Sequence, residues 1–289
     1  MSSTGPGSGL VFTVSGPDSG TEPATLGQAA VDVLTTADAA AKARRTQCHA
    51  AAWRAGRLDW SFDALPPDRP ARPLHPELLP PNRMPKRGKA GSLAARVALL
   101  HALAHIELNA IDLAWDLLAR FGAEMPRPFA DDWVRVADEE ALHFLLLEQR
   151  LHDLGSHYGA LPAHDGLWEA AQVTAHDLLA RLAVVPQVLE ARGLDVTPQT
   201  IERLERAEDT ESAAILGRIY RDEIGHVAAG NRWFRHLCDR RGEPPAAAFH
   251  AAVKRYFRGD LKPPFNDPAR LEAGLSPDFY EPLAGSNAA

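Results

Sequence analysis

The sequence contains 289 residues, of which 45% are hydrophobic and 24% are charged, as in an ordinary globular protein. The formal net charge is −7 and the 31 lysine and arginine residues are scattered, which argues against nucleic acid as a partner. We find no uninterrupted apolar run of about 18 residues, so we expect no membrane span and no membrane partner.

The N-terminal stretch 1–28 is rich in Gly, Ser, Thr and Pro and lacks the charged start and apolar stretch of a secretory signal. We therefore predict a mobile tail at residues 1–28. Cys48 and Cys238 lack the spacing of metal ligands and suit free thiols in a reducing compartment. These features predict a cytoplasmic protein.

Residues 29–62 are rich in alanine with helical spacing, which predicts an N-terminal helical extension ending near Gly56. Residues 63–92 follow as a proline-rich strap, because eight prolines between Pro66 and Pro85 forbid a continuous helix. Residues 242–289 are expected to form a short helix, near 246–257, and a tail.

Residues 93–241 carry apolar side chains three and four apart, which is typical of amphipathic helices. We predict a four-helix bundle in this region, with the third helix broken near Gly193 and Pro198. No segment alternates like a strand, so the predicted fold class is all-α. The four helices are predicted at residues 93–121, 131–154, 167–206 and 209–241.

The second and fourth predicted helices each contain a Glu-x-x-His motif, Glu140-Ala-Leu-His143 and Glu223-Ile-Gly-His226. A spacing of three places both side chains on one helix face, where they can share a metal ion. A single copy is weak evidence, because this pattern is common on solvated helix faces.

The motifs belong to an internal repeat, since the separation between Glu107 and Glu140 recurs unchanged between Glu190 and Glu223. All four glutamates share a face with apolar residues and should point into the core. Buried carboxylates without partners cost several kcal/mol each, so four converging carboxylates indicate bound cations. Glu139 and Asp222, one before each motif, are predicted to hydrogen-bond the imidazoles of His226 and His143, respectively.

This pattern resembles the ferritin-like superfamily of di-iron and di-manganese carboxylate proteins. The stretches His101-Ala-Leu-Ala-His-Ile-Glu107 and Arg221-Asp-Glu-Ile-Gly-His226 also resemble the family called domain of unknown function 455. The superfamily resemblance implies two iron ions, with manganese, mixed Mn/Fe or zinc as alternatives. It implies the ligands Glu107, Glu140, His143, Glu190, Glu223 and His226.

The resemblance favours an oxidoreductase that uses dioxygen and an unknown electron donor to oxidise a small organic substrate, in a cavity beside the ligands. A ferroxidase or iron store and a structural metal protein stay open as alternatives, as does a homodimer. Tyr220, one turn before Glu223, is a candidate redox-active neighbour. His101 and His105 are expected to pack rather than bind metal. Pro186 should distort the third helix beside Glu190.

Overall fold

The computed structural model describes residues 22–84 and 92–285. These residues are predominantly helical, and among them the structure contains isolated β-bridges but no β-strand. The predicted all-α class is therefore confirmed. Most of the predicted mobile tail and residues 85–91 of the strap lie outside the described residues.

The N-terminal extension forms two helices, α1 (Leu26–Thr35) and α2 (Ala39–Arg54). The side chains of Thr25 and Asp38 cap them by accepting hydrogen bonds from Gln28 and Ala41 backbone amides. Gly56, with φ of 69°, ends α2 as the glycine position predicts. Helix α1 packs against the next helix, α3 (Leu93–Phe121), which places the extension on the core.

The proline-rich strap follows an irregular path and is fixed by hydrogen bonds to the helical body. Ala71 donates its backbone amide to Leu34 at 2.7 Å, and Leu79 donates to Ala163 at 2.7 Å. The ammonium group of Lys42 bonds both Ala71 O, at 2.9 Å, and the buried carboxylate of Asp112, at 2.5 Å. The strap is thereby tied to α2 and α3.

The long helices form two neighbouring pairs. Helix α3 packs along α4 (Arg127–Asp153), and the short connection at 122–126 turns the chain back between them. Helix α7 (Ala191–Arg206) packs along α8 (Thr210–Arg241), and α4 also contacts α8. The contact between α4 and α8 brings the two Glu-x-x-His motifs together.

The third predicted helix is segmented, but its breaks differ from those expected. It consists of α5 (Gly166–Val173), α6 (Leu178–Val184), a π-helical turn (Val185–Glu190) and α7. The predicted break near Gly193 and Pro198 was wrong, because α7 continues through both. Proline deprives the carbonyl four residues earlier of its donor. Here the Nδ2 group of Asn266 donates to that carbonyl, Leu194 O, at 2.9 Å.

The C-terminal region packs back onto α7 and α8. Its helices are α9 (Pro245–Tyr256), α10 (Asp267–Glu272) and α11 (Pro277–Tyr280). Buried Arg270 forms two hydrogen bonds to Asp195 on α7, at 2.8 and 2.7 Å. This ion pair fixes the C-terminal region beside the segment that carries Glu190.

One segment of the described chain, Leu93–Glu124, is long and apolar enough to cross a membrane by composition alone. A search for uninterrupted apolar runs does not find this segment, because its most apolar 18-residue window contains charged residues. About two thirds (67%) of this window is buried inside the protein. A buried core helix meets the same criteria, so the segment is weak evidence for a membrane span.

Candidate metal centre

Helices from both pairs contribute carboxylates and imidazoles to one buried cluster. Glu107 lies on α3, Glu140 and His143 lie on α4, and Glu223 lies on α8. Each of these four residues offers a ligand atom within 4.8 Å of the others. The cluster could therefore hold a metal ion.

The two remaining predicted ligands border this group. His226 Nδ1 lies 3.0 Å from Glu140 Oε1 and 3.6 Å from Glu223 Oε1. Glu190, at the end of the π turn, is close enough to Glu223 and Glu140 for their charges to raise its pKa, together with burial, well above the ordinary value. All six predicted residues thus lie in one region, with Glu190 and His226 outside the tightest group.

Each imidazole contacts the glutamates through Nδ1 and an outer carboxylate through Nε2. His143 Nδ1 lies 3.2 Å from Glu107 Oε2, and His143 Nε2 lies 3.0 Å from Asp222 Oδ2. His226 Nε2 lies 2.8 Å from Glu139 Oε2. The structure therefore contains both cross-helix contacts that the positions of Glu139 and Asp222 predicted.

Sequence reasoning missed a further symmetric element, an arginine bonded to each outer carboxylate. Arg135 Nη1 donates to Glu139 Oε2 at 2.8 Å, and Arg218 Nε donates to Asp222 Oδ2 at 2.5 Å. Both arginines are partly exposed, so each chain of contacts runs from the protein surface to an imidazole. The signal was present, because both arginines stand at the same offset before the glutamate of their motif.

Burial raises the pKa of Glu107, Glu190 and Glu223, and neighbouring glutamates raise it further. Burial also acts to raise the pKa of Glu140, but the charge of His226 and the proximity of both imidazoles outweigh it and lower that pKa. These carboxylates thus compete for a small number of neighbouring positive charges.

The neighbouring glutamates raise the pKa values of both histidines. Burial alone would lower the pKa of His143, yet hydrogen bonds and charges from Glu107 and Glu140 raise it to about 11. The pKa of His226 is raised well above its ordinary value against the same effect of burial, by Glu140 and Glu223. Without other cations, protons on the imidazoles stabilise the buried carboxylates.

Several buried polar atoms of this cluster have no hydrogen-bond partner among the described residues. They are Glu140 Oε2, Glu190 Oε2, Glu223 Oε2 and His226 Nδ1. Buried polar groups are normally satisfied, so four orphaned atoms in one cluster call for a bound group. Carboxylate oxygens and imidazole nitrogens form a donor set that suits Fe, Mn and Zn.

The π turn before Glu190 is explained by Pro186, which lacks a backbone N–H for Leu182 O. The buried side chain of Gln187 supplies this donor instead, with Nε2 at 3.0 Å from Leu182 O. Pro186 packs directly over Gly230 on α8, where an added Cβ would lie 2.5 Å from the proline ring. This close approach holds the Glu190 segment against the helix that carries Glu223 and His226.

The other candidate residues have ordinary partners. Tyr220 OH accepts a hydrogen bond from Asn266 Nδ2 at 3.0 Å. His105 Nδ1 contacts Tyr158 OH at 2.8 Å, and His101 Nε2 accepts from the Gly159 amide at 2.9 Å. These histidines fix the chain that follows α4, as expected for packing residues. Within the described part of the chain, Tyr220 OH bonds to the C-terminal region rather than to a residue of the cluster.

Two cavities formed by the described residues are lined by none of the six candidate ligands. The larger, about 550 Å³, lies where α3, α8 and α9 end, and the smaller, about 290 Å³, adjoins α5 and Arg181. The expectation of a cavity beside the metal ligands is therefore not met by either one.

The fold and site define an all-helical protein with a buried glutamate and histidine cluster that could hold a metal ion. The model of the family described as "Protein of unknown function (DUF455)" matches residues 35–281, and the chain belongs to this family. A relative from Haemophilus influenzae, described as an uncharacterized protein, is 44% identical over 212 residues, covering 71% of this chain and 73% of the relative. No solved structure matches the chain.

Proposed function

We propose that this protein is a di-metal carboxylate oxidoreductase, in which a ferritin-like four-helix arrangement holds two iron ions that react with dioxygen to oxidise a small organic substrate. The observation that carries the proposal is the set of unpartnered buried ligand atoms on Glu140, Glu190, Glu223 and His226. Four carboxylates and two imidazoles, contributed by a repeated pair of helices, are the donor set of such sites.

The charges of the six residues support two divalent ions rather than one. Four ionised glutamates supply four negative charges, which two divalent cations neutralise while both imidazoles stay neutral. A neutral cluster is tolerated in a core where unpaired charges are not. When bound, two ferrous ions would supply electrons for the reduction of dioxygen.

The hydrogen bonds between the imidazoles and the outer carboxylates orient the two histidine ligands. Asp222 and Glu139 accept from Nε2 of His143 and His226, which leaves each Nδ1 directed at the glutamates. Arg218 and Arg135 each donate a hydrogen bond to one of these outer carboxylates and so orient it. Surrounding apolar residues such as Ile111 and Leu147 are fully buried and limit water near the cluster.

The test is dioxygen consumption by protein loaded with two equivalents of ferrous iron under anaerobic conditions. We expect rapid uptake on mixing with oxygenated buffer, measured with an oxygen electrode and corrected for free iron. Glu140→Ala should abolish the rapid phase, whereas Glu202→Ala, which removes an exposed glutamate on α7, should preserve it. Rapid uptake that survives Glu140→Ala would contradict the proposal.

A structural metal site is the second candidate, and the position of the cavities favours it. Neither cavity reaches the six residues, whereas an oxidase acting on an organic molecule needs space beside its metal ions. In that case the iron-loaded protein would consume dioxygen only slowly, and metal removal would lower the unfolding temperature without affecting any turnover.

A further inference from the structure

The larger cavity lies at the end of the helical body where α3, α8 and α9 finish and α6 begins. Its volume of about 550 Å³ is in the range of small-molecule sites. Basic side chains from four elements converge on it: Arg120, His176, Arg240, Arg241 and Arg255. Glu124 and Asp177 are the acidic residues in its lining.

The basic groups of this cavity differ in how well they are paired inside the protein. Arg120 is satisfied by Asp116 Oδ1 at 2.7 Å and Pro67 O at 2.8 Å. Arg241 forms only a long ion pair with Asp177, at 3.9 Å, and Arg255 lies over the ring of Tyr256, 5.1 Å from its centre. Arg240 and Arg255 form no ion pair within the described part of the chain. The cavity is thus a local positive region in a chain of net charge −7.

The helix dipole explains why each arginine lies near the C-terminal end of its helix. It does not explain why arginines from three helices meet in one cavity. Arg120, Arg240, Arg241 and Arg255 stand in the last turns of their helices, where cations are favourable. Three helices nevertheless direct these groups into one concave space, where like charges repel. An anion in the cavity would reduce this repulsion and accept hydrogen bonds from Arg240, Arg241 and Arg255, which form no short ion pair among the described residues.

The remaining lining is apolar and aromatic. Phe121, Leu178, Leu237 and Tyr256 complete the cavity wall beside the arginines. A guanidinium group matches the geometry of phosphate oxygens, and the apolar wall suits an organic group attached to them. We propose that this cavity binds a small organic molecule that carries a phosphate group, with Arg240, Arg241 and Arg255 on the phosphate and Tyr256 against the organic part.

This site is distinct from the metal cluster. Arg120 lies several turns beyond Glu107 on α3, and Arg240 lies several turns beyond Glu223 on α8. At about 1.5 Å per residue along a helix, these positions separate the two sites by roughly 20 to 25 Å. A molecule bound in the cavity therefore does not touch the candidate metal ligands.

The test is isothermal titration of the full chain with phenyl phosphate, inorganic phosphate and benzoate at constant low ionic strength. We expect phenyl phosphate to bind more tightly than inorganic phosphate or benzoate. The double variant Arg240→Gln/Arg255→Gln should weaken it by about 10- to 100-fold. Arg44→Gln, which removes an exposed arginine of α2 outside the cavity, should bind like the wild type.

Three results would overturn the assignment. They are no binding of phenyl phosphate at millimolar concentration, equal loss of affinity in Arg44→Gln, or benzoate binding as tightly as phenyl phosphate. Absence of binding would show that the cavity is not a site for such molecules. Equal loss in Arg44→Gln would show nonspecific attraction to positive charge. Equal binding of benzoate would show that the cavity does not prefer phosphate. Because the replaced arginines are exposed, the variants are expected to fold, which circular dichroism verifies.

Discussion

His143 on α4 contacts Asp222 on α8 through Nε2 and Oδ2, which lie 3.0 Å apart. The reciprocal contact joins His226 on α8 to Glu139 on α4 at 2.8 Å. Each helix therefore supplies one Glu-x-x-His motif and the carboxylate that orients the imidazole of the other. This exchange couples the two halves of the repeat at the centre of the protein.

The first prediction concerns this orienting contact. Asp222→Asn keeps the size of the side chain but removes the charge that favours an N–H on His143 Nε2. Metal affinity should fall by about 10- to 100-fold, as is typical for hydrogen-bond partners of metal-ligating histidines. Competition with a chromogenic chelator for Co²⁺ or Fe²⁺ measures the change.

Asp138→Asn is the matched control for that measurement. Asp138 precedes Glu139 on α4 and pairs with Arg54 at the surface, at 2.8 Å, rather than with an imidazole. Its substitution should leave metal affinity unchanged. If both variants bind metal equally well, the contact between Asp222 and His143 has no role in holding a metal.

Much of this site could be predicted from the sequence because its signals are local. The three-residue spacing of Glu140 and His143, repeated at Glu223 and His226, fixes a shared helix face whatever the tertiary structure. The positions of Glu139 and Asp222 follow from the same helical geometry. The resemblance to the family called domain of unknown function 455 is likewise confirmed by the family match.

The third helix could not be predicted as well, because distant residues decide its shape. Pro198 is tolerated within α7 since Asn266, far along the chain, donates to Leu194 O. The π turn at Pro186 is stabilised by the hydrogen bond from Gln187 and by the close packing of Pro186 on Gly230, which has no side chain. The convergence of arginines on the large cavity likewise depends on how helix ends assemble, which sequence spacing does not encode.

The second prediction is that the metal-free protein loses stability as pH rises from 6 to 9. Raised pKa values mean that folded Glu107, Glu190 and Glu223 hold protons above pH 4.5 that the unfolded chain has released. Folded His143, with a pKa of about 11, similarly holds its proton above pH 6.5. Both contributions to stability decline with rising pH. Urea unfolding across this range measures the slope.

A double variant tests whether the buried cluster causes the dependence of stability on pH. Glu190→Gln/Glu223→Gln removes two groups that exchange protons, so its stability should depend less steeply on pH. Metal affinity of the wild type should instead increase with pH, because binding displaces protons from the ligands. A wild-type stability that is constant or rising between pH 6 and 9 would exclude this electrostatic account.

The third prediction concerns the packing of Pro186 on Gly230. In Gly230→Ala the new Cβ would meet the proline ring at 2.5 Å, so the π turn must move. Destabilisation of about 1–3 kcal/mol is expected from such overpacking, with weaker metal binding because Glu190 moves with the turn. Gly217→Ala on the same helix has room for its Cβ and should be neutral or stabilising. Equal effects of Gly230→Ala and Gly217→Ala on stability and metal binding would contradict the proposed role of this packing.

The fourth prediction concerns the ion pair between Lys42 and Asp112, whose side chains are both fully buried. Lys42→Met leaves the Asp112 carboxylate with Arg72 as its remaining cationic partner, at 2.9 Å. Loss of one member of a buried pair should lower the free energy of unfolding by about 3–5 kcal/mol. Lys254→Met, at an exposed position of α9, should change it by less than about 0.5 kcal/mol. Chemical denaturation compares the two variants.

The central claim is that six residues hold two metal ions, and metal stoichiometry tests it most directly. Protein reconstituted anaerobically with excess ferrous iron and freed of unbound metal should contain about two ions per chain by elemental analysis. Glu140→Ala, which removes the glutamate in contact with both histidines, should contain substantially fewer. A folded wild-type protein that retains no iron, and takes up no manganese in the same procedure, would contradict the account.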